Sequence, residues 1–146
     1  AVDTLQLAGR AVTLPVSAFT AAELTVEDSS GITTIQTISY TATGEPVNIT
    51  ATCYYYGYGD DSTDDDVQLE FSLYRGTNLI GAATRVNINR FDGNGQKTVL
   101  PFALTFSDQP SAGSATYYFK ADIPNVDNNP SCRVGNRSLV ALEGQR

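Results

Sequence analysis

The sequence predicts an all-β fold, an antiparallel sandwich or barrel of about eight short strands behind an extended N-terminal arm. Three observations predict it. Several segments alternate apolar and polar residues with a period of two, the signature of strands with one buried face. Turn residues separate these segments about every 8–12 residues. No stretch carries a sustained helical period, so a parallel sheet built on helical crossovers is excluded.

The anchor is Ala115–Ile123, which follows the turn signal Pro110-Ser-Ala-Gly113. Ala115, Tyr117, Phe119, Ala121 and Ile123 fall on one face, and Thr116, Tyr118, Lys120 and Asp122 on the other. From the N-terminus, residues 1–23 read as an arm or edge strand, because Pro15 tolerates only an edge. Ala18–Glu23 is the one place for a helical turn. The remaining residues, 24–146, read as a single sandwich domain. Within it, Leu24–Val26 is a short strand and Ile32–Thr43 the next. Val47–Tyr56 alternates, with Val47, Ile49, Ala51, Cys53 and Tyr55 inward and Tyr54 and Tyr56 outward. Val67–Tyr74 points Val67, Leu69, Phe71 and Leu73 inward and ends at the turn Arg75-Gly-Thr-Asn78. Leu79–Asn89 follows, with Gly81 a bulge candidate. Asp92-Gly-Asn-Gly95 accepts the positive φ of a hairpin turn. Thr98–Phe106 puts Leu100, Phe102, Leu104 and Phe106 on one side, and Pro101 sends it to an edge. Pro124–Gly135 reads as a loop, and Ser138–Glu143 closes the chain.

The totals bound the partners. The chain has 146 residues and a net charge of −7, with 17% charged residues. That sign argues against nucleic acid and anionic membrane as partners, since both need basic patches. No apolar run approaches the ~18 residues of a membrane helix. The first residues lack a basic region followed by a long apolar one, which reads as no signal peptide, and Ala1 reads as what initiator Met removal leaves.

Candidate chemistry is sparse. Asp60, Asp61, Asp64, Asp65 and Asp66 crowd one segment and are candidate Ca²⁺ ligands, although their spacing departs from the EF-hand loop. An exposed acidic connection explains the same residues. Tyr54, Tyr56 and Tyr58 beside that run suit either a carbohydrate platform, where rings stack on sugar faces, or a subunit interface. The chain contains no His. That removes Ser-His-Asp and Cys-His nucleophilic machinery. Glu70 with an acidic-loop Asp is the remaining carboxylate pair for glycoside cleavage, but its strand period makes Glu70 an ordinary solvated residue. No cofactor fingerprint of the GxGxxG, P-loop or HExxH kind occurs, so no cofactor is predicted and the chain reads as a non-enzyme. Cys53 and Cys132 lack metal-ligand spacing. They read as free thiols, with a disulfide between them the alternative, worth roughly 4 kcal/mol by loop closure. Asn48-Ile-Thr50 and Asn136-Arg-Ser138 match the glycosylation sequon.

Three phrases carry a family resemblance: Asp108, Pro110, Gly113 and Tyr117 in the turn before the anchor strand; Leu139, Ala141 and Glu143 in the last strand; and Val67–Gly76 as a strand closed by an Arg-Gly turn. Together they resemble the trimeric jelly rolls of tumour-necrosis-factor-like type found in tailed-phage fibre heads and capsid-surface proteins. The resemblance implies a jelly roll, a homotrimer about a threefold axis, and a place on the virion surface, bound to the major capsid protein or another virion protein. It makes the chain a capsid decoration or cement protein or a head spike. A receptor- or carbohydrate-binding fibre head, or a secreted bacterial carbohydrate-binding or adhesion module, is the alternative. A trimer interface needs apolar and aromatic groups turned away from the core. Tyr54, Tyr56, Tyr74, Tyr118, Val140 and Leu142 are the residues so placed.

Overall fold

The computed structural model describes residues 15–27, 31–58, 67–88, 99–124 and 131–144. They form nine strands in chain order. These are β1 (Val16–Thr20), β2 (Leu24–Glu27), β3 (Thr33–Ala42), β4 (Val47–Tyr58), β5 (Val67–Arg75), β6 (Asn78–Ile88), β7 (Leu100–Asp108), β8 (Gly113–Asp122) and β9 (Ser131–Glu143). Two antiparallel sheets face each other. The first runs β1-β9-β4-β7, with β2 also on β9, and the second runs β3-β8-β5-β6. From β2 onward successive strands change sheet at every step except the β5–β6 hairpin. That is a jelly-roll-like sandwich.

The alternation predicted for the anchor strand holds. Ala115, Tyr117, Phe119, Ala121 and Ile123 are all buried, and so are Val47, Ile49, Ala51, Cys53 and Tyr55 across the sandwich. Phe71 is the hub of this core. Its ring stacks on Phe102 at 4.1 Å and Phe119 at 5.6 Å, and meets Tyr55 edge-on at 5.8 Å. Such pairs add to the area they bury. At one end of the sandwich Asp108 takes the Tyr117 hydroxyl at 2.8 Å and Arg75 at 2.8 Å. This satisfies the polar tip of a buried tyrosine. Burial first, then the bond to Asp108, pushes the Tyr117 phenol far above its ordinary range.

Edge positions follow the sequence signals. β7, which carries Pro101, is the outer strand of the first sheet. Gly81 lies where the β5–β6 register shifts, with φ +69°, and a Cβ there would collide with the Phe106 ring. Only glycine meets both demands.

Two expectations are corrected. Ala18–Glu23 makes no helical turn. Val16–Thr20 pairs with Arg137–Ala141 instead, since sheet hydrogen bonds outweigh weak local propensity. The loop drawn over Pro124–Gly135 ends early, because β9 starts at Ser131 and is paired by β2 on one side and β4 on the other. Cys132 is therefore a strand residue. Polar and glycine-rich composition concealed a central strand whose bonds come from distant neighbours. The acidic run with Asp60, Asp61, Asp64, Asp65 and Asp66, and the turn Asp92–Gly95, lie outside the described residues.

Both cysteines are buried free thiols rather than a disulfide. Burial pushes each thiol up to about 12. The thiolate is the reactive form. Neither cysteine should react with a disulfide reagent at about pH 8 in the folded protein, and both should titrate after denaturation. Rapid labelling of the native chain would contradict this burial. Phe119→Ala should lower stability by about 3–5 kcal/mol in denaturant titration, because the ring is fully enclosed. A loss below about 1 kcal/mol would show that the aromatic cluster is not the core.

Candidate functional site

The most distinctive surface is the outer face of the first sheet, and its shape starts with one extra residue in β9. Thr52 pairs with Ser138 and Tyr54 with Gly135, so Cys53 faces two residues, Asn136 and Arg137. Asn136 takes φ +46°, a left-handed conformation that Asn tolerates better than most residues. On the other side of β9, β1 and β2 pair with the stretches flanking this bulge. The chain between them kinks there, tied by the Asn136 amide donating to the Ala21 carbonyl at 3.4 Å.

The kink delivers Glu23 to the outer face. Its carboxylate accepts the Tyr54 hydroxyl at 3.0 Å, the Tyr56 hydroxyl at 2.7 Å and Arg133 at 3.3 Å. The bond from Tyr56, then those from Tyr54 and Arg133, hold the Glu23 carboxyl below its ordinary 4.5, against a smaller upward effect of burial. The two rings stack at 6.4 Å. Tyr54 lies across Gly135, where any Cβ would strike its ring. One carboxylate and one glycine thus fix the aromatic pair.

From Tyr54 to the Leu142 end, the outward residues of this sheet are Ser17 and Phe19 on β1, Ser138, Val140 and Leu142 on β9, Asn48, Thr50 and Thr52 on β4, and Pro101, Ala103, Thr105 and Ser107 on β7. None is charged. Short side chains tie β4 to β7, with Ser107 donating to Asn48 at 2.7 Å and the Thr50 and Thr105 hydroxyls 3.3 Å apart. Phe19 is 64% exposed and Leu142 45%, with Val140 between them. At the β7 side, Thr52, Tyr54, Pro101, Ala103 and Asn136 line a shallow groove of about 490 Å³ over Cys53 and Phe102.

The opposite face of the sandwich is different. Lys120 lies over the Tyr74 ring at 4.4 Å and the Tyr118 ring at 5.4 Å, and Arg85 pairs with Glu70 at 2.7 Å. Glu70 is thus a surface ion-pair partner. Cation–π and ion-pair contacts mark this face as hydrated and charged.

The six residues selected as outward-facing are consequently divided. Tyr54, Val140 and Leu142 share the uncharged face, while Tyr74 and Tyr118 lie on the other sheet. Tyr56 points outward as its period demands but is only 2% exposed, because Glu23 and Tyr54 close over it. It offers no surface to a partner or a sugar. Tyr58 ends β4, and its side chain lies outside the described residues. Among the described residues no group of three His, Cys, Asp or Glu could hold a metal ion. Sequence reading missed Phe19, Glu23, Gly135 and Asn136. The pair Gly135-Asn136 was the legible signal, since both residues favour bulges.

No protein-family model matches the sequence, and no curated protein matches it. Solved structures share the fold. A chain of the T=1 particles derived from infectious bursal virus is 14% identical with a TM-score of 0.50, covering 90% of this chain and 32% of that one. The infectious bursal disease virus Gx strain gives 11% identity, a TM-score of 0.49 and coverage of 90% and 32%. The CBM22-1 xylan-binding domain of Paenibacillus barcinonensis Xyn10C gives 14% identity and a TM-score of 0.39, covering 93% and 97%. This chain spans about a third of the length of the viral chains.

The Glu23 geometry has a pH signature. A carboxyl that titrates below 4.5 when folded stabilises the fold fully above that value and loses the contribution as pH falls through the lower folded value. Glu23→Gln should melt below wild type at neutral pH, and the gap should close under acid. A gap that persists undiminished in acid would show that the carboxylate charge is not what anchors the tyrosines.

Proposed function

We propose that this chain is a non-catalytic structural protein of a virion, a homotrimer on the particle surface that decorates or cements the capsid or forms a head spike. The observation that carries the reading is the part of the first sheet's outer face from Tyr54 to the Leu142 end, whose outward strand residues carry no charge. A chain of net charge −7 stays soluble by spreading like charge over its surface. A stretch without charged strand residues that bears exposed Phe19 and Leu142 beside half-buried Val140 works against that end. It has the composition of an interface core, depleted of charge and enriched in apolar and aromatic groups. The jelly-roll-like fold shared with a chain of virus-derived particles supports the virion setting. The partners are further copies of this chain and the major capsid protein or another virion protein.

The division of the candidate residues bears on symmetry. Head-to-tail contacts between different patches close into a ring when the rotation permits and run on as a filament when it does not. The threefold contact in this reading uses Tyr54, Val140 and Leu142, and leaves Tyr74 and Tyr118, on the other sheet, outside it. The carbohydrate reading of Tyr54, Tyr56 and Tyr58 has less support. Both phenol hydroxyls of Tyr54 and Tyr56 are engaged by Glu23, and Tyr56 is covered.

Sedimentation velocity on the full chain should give a trimer, and Leu142→Glu should give a monomer that keeps the wild-type β circular dichroism and melts lower, since association stabilises the folded state. Wild-type protein should cosediment with empty shells of its own virus. A monomeric wild type at micromolar concentration would overturn the proposal.

A further inference from the structure

Tyr118, which the threefold contact leaves aside, borders a second cavity. At one end of the second sheet, Arg75, Ser111, Ser114, Thr116 and Tyr118 line a pocket of about 460 Å³ beside the β5–β6 turn and the start of β8. Small-molecule sites run from roughly 300 to 1,000 Å³. The geometry points to a neutral sugar, held by one pyranose ring, as the ligand of this pocket. Its binding does not require copies of the chain to associate.

Charge selects against an ion. Among the described residues Arg75 is the one charged group in the lining, and no carboxylate joins it to hold a cation. Asp108 already takes the Arg75 Nη1 at 2.8 Å, so the pair cancels and offers an anion little. A chain of net charge −7 also repels anions at range.

Hydrogen bonding of both signs remains. Ser111 and Ser114 are exposed, and a hydroxyl both donates and accepts. The Thr116 hydroxyl shares one bond with Ser39 at 2.9 Å, and Asp108 leaves the other Arg75 guanidinium nitrogens to the pocket. Sugar hydroxyls donate and accept in the same way, so this lining returns the bonds that they give up with water. The half-buried Tyr118 ring adds an apolar surface for the C–H face of a pyranose. Lys120, over the same ring at 5.4 Å, is not part of the lining.

The pocket is formed in advance. The Gly76 amide donates to the Thr116 carbonyl at 3.0 Å and ties the β5–β6 turn to β8. Gln109 donates to the Gly44 carbonyl at 3.2 Å just before the Pro110–Ala112 wall. Gly113 takes φ +123°, which lets the chain turn from that wall into β8. Little conformational freedom is then lost on binding.

Saturation-transfer NMR on the full chain tests this. The probes are the methyl glycosides of glucose, galactose, mannose and N-acetylglucosamine, with glucuronate as the charged comparison. At least one neutral glycoside should bind with a Kd of about 1–10 mM. Tyr118→Ala removes the aromatic surface and Ala112→Trp fills the pocket from an exposed position, and each should weaken binding at least about fivefold. Both side chains lie outside the core, and wild-type β circular dichroism checks each variant. Should Tyr118→Ala lose it, Ala112→Trp decides alone. Silence of all four glycosides at about 20 mM overturns the sugar site. So does binding that survives the substitutions, or glucuronate binding more tightly than every neutral probe.

Discussion

One extra residue in β9 shapes this molecule's surface. β9 is paired on both sides, by β4 and by the β1–β2 edge, so the surplus at Asn136–Arg137 cannot relax into a loop. It is absorbed by a left-handed Asn on one strand and a kink in the neighbouring edge. The kink brings Glu23 to Tyr54 and Tyr56, and those bonds hold Tyr54 as the wall of a groove. An irregularity in backbone pairing is converted step by step into a defined piece of surface. Bulges commonly re-aim side chains in this way.

The inner face needs no such device. Phe71, Phe102 and Phe119 stack between the sheets, and the polar tip of Tyr117 is satisfied by Asp108 at the end of the sandwich. The core holds the two sheets together and leaves their outer faces free to differ. One bears Lys120 between two tyrosines and the Glu70–Arg85 pair, the other nothing charged from Tyr54 to Leu142. That asymmetry leaves one stretch of sheet without charged strand residues. It is the physical basis for reading that face as the place where copies meet.

Much of this was legible in the chain. A period of two is enforced by the pleat itself, so Ala115–Ile123 and Val47–Tyr55 declared their buried faces directly. Gly81 and Pro101 announced a bulge and an edge because backbone chemistry allows them little else. Less legible were the features that depend on a partner strand. Ser131–Gly135 looks like a loop because it follows a Pro- and Asn-rich stretch and ends in glycine, yet it is hydrogen-bonded from both sides. Tyr56 faces outward as predicted and is nonetheless buried, because a residue distant in sequence covers it.

Local periodicity thus specified the all-β class and the sandwich core, because each depends on residue type and near-neighbour spacing. Tertiary structure alone assigned strands to sheets, separated Tyr74 and Tyr118 from Val140 and Leu142, and gathered the uncharged face. Those properties arise where β1, β9, β4 and β7 lie side by side, and strands from opposite ends of the chain meet only after pairing. The register of that pairing, with its one-residue shift at Asn136, is a long-range outcome that no short window of sequence encodes.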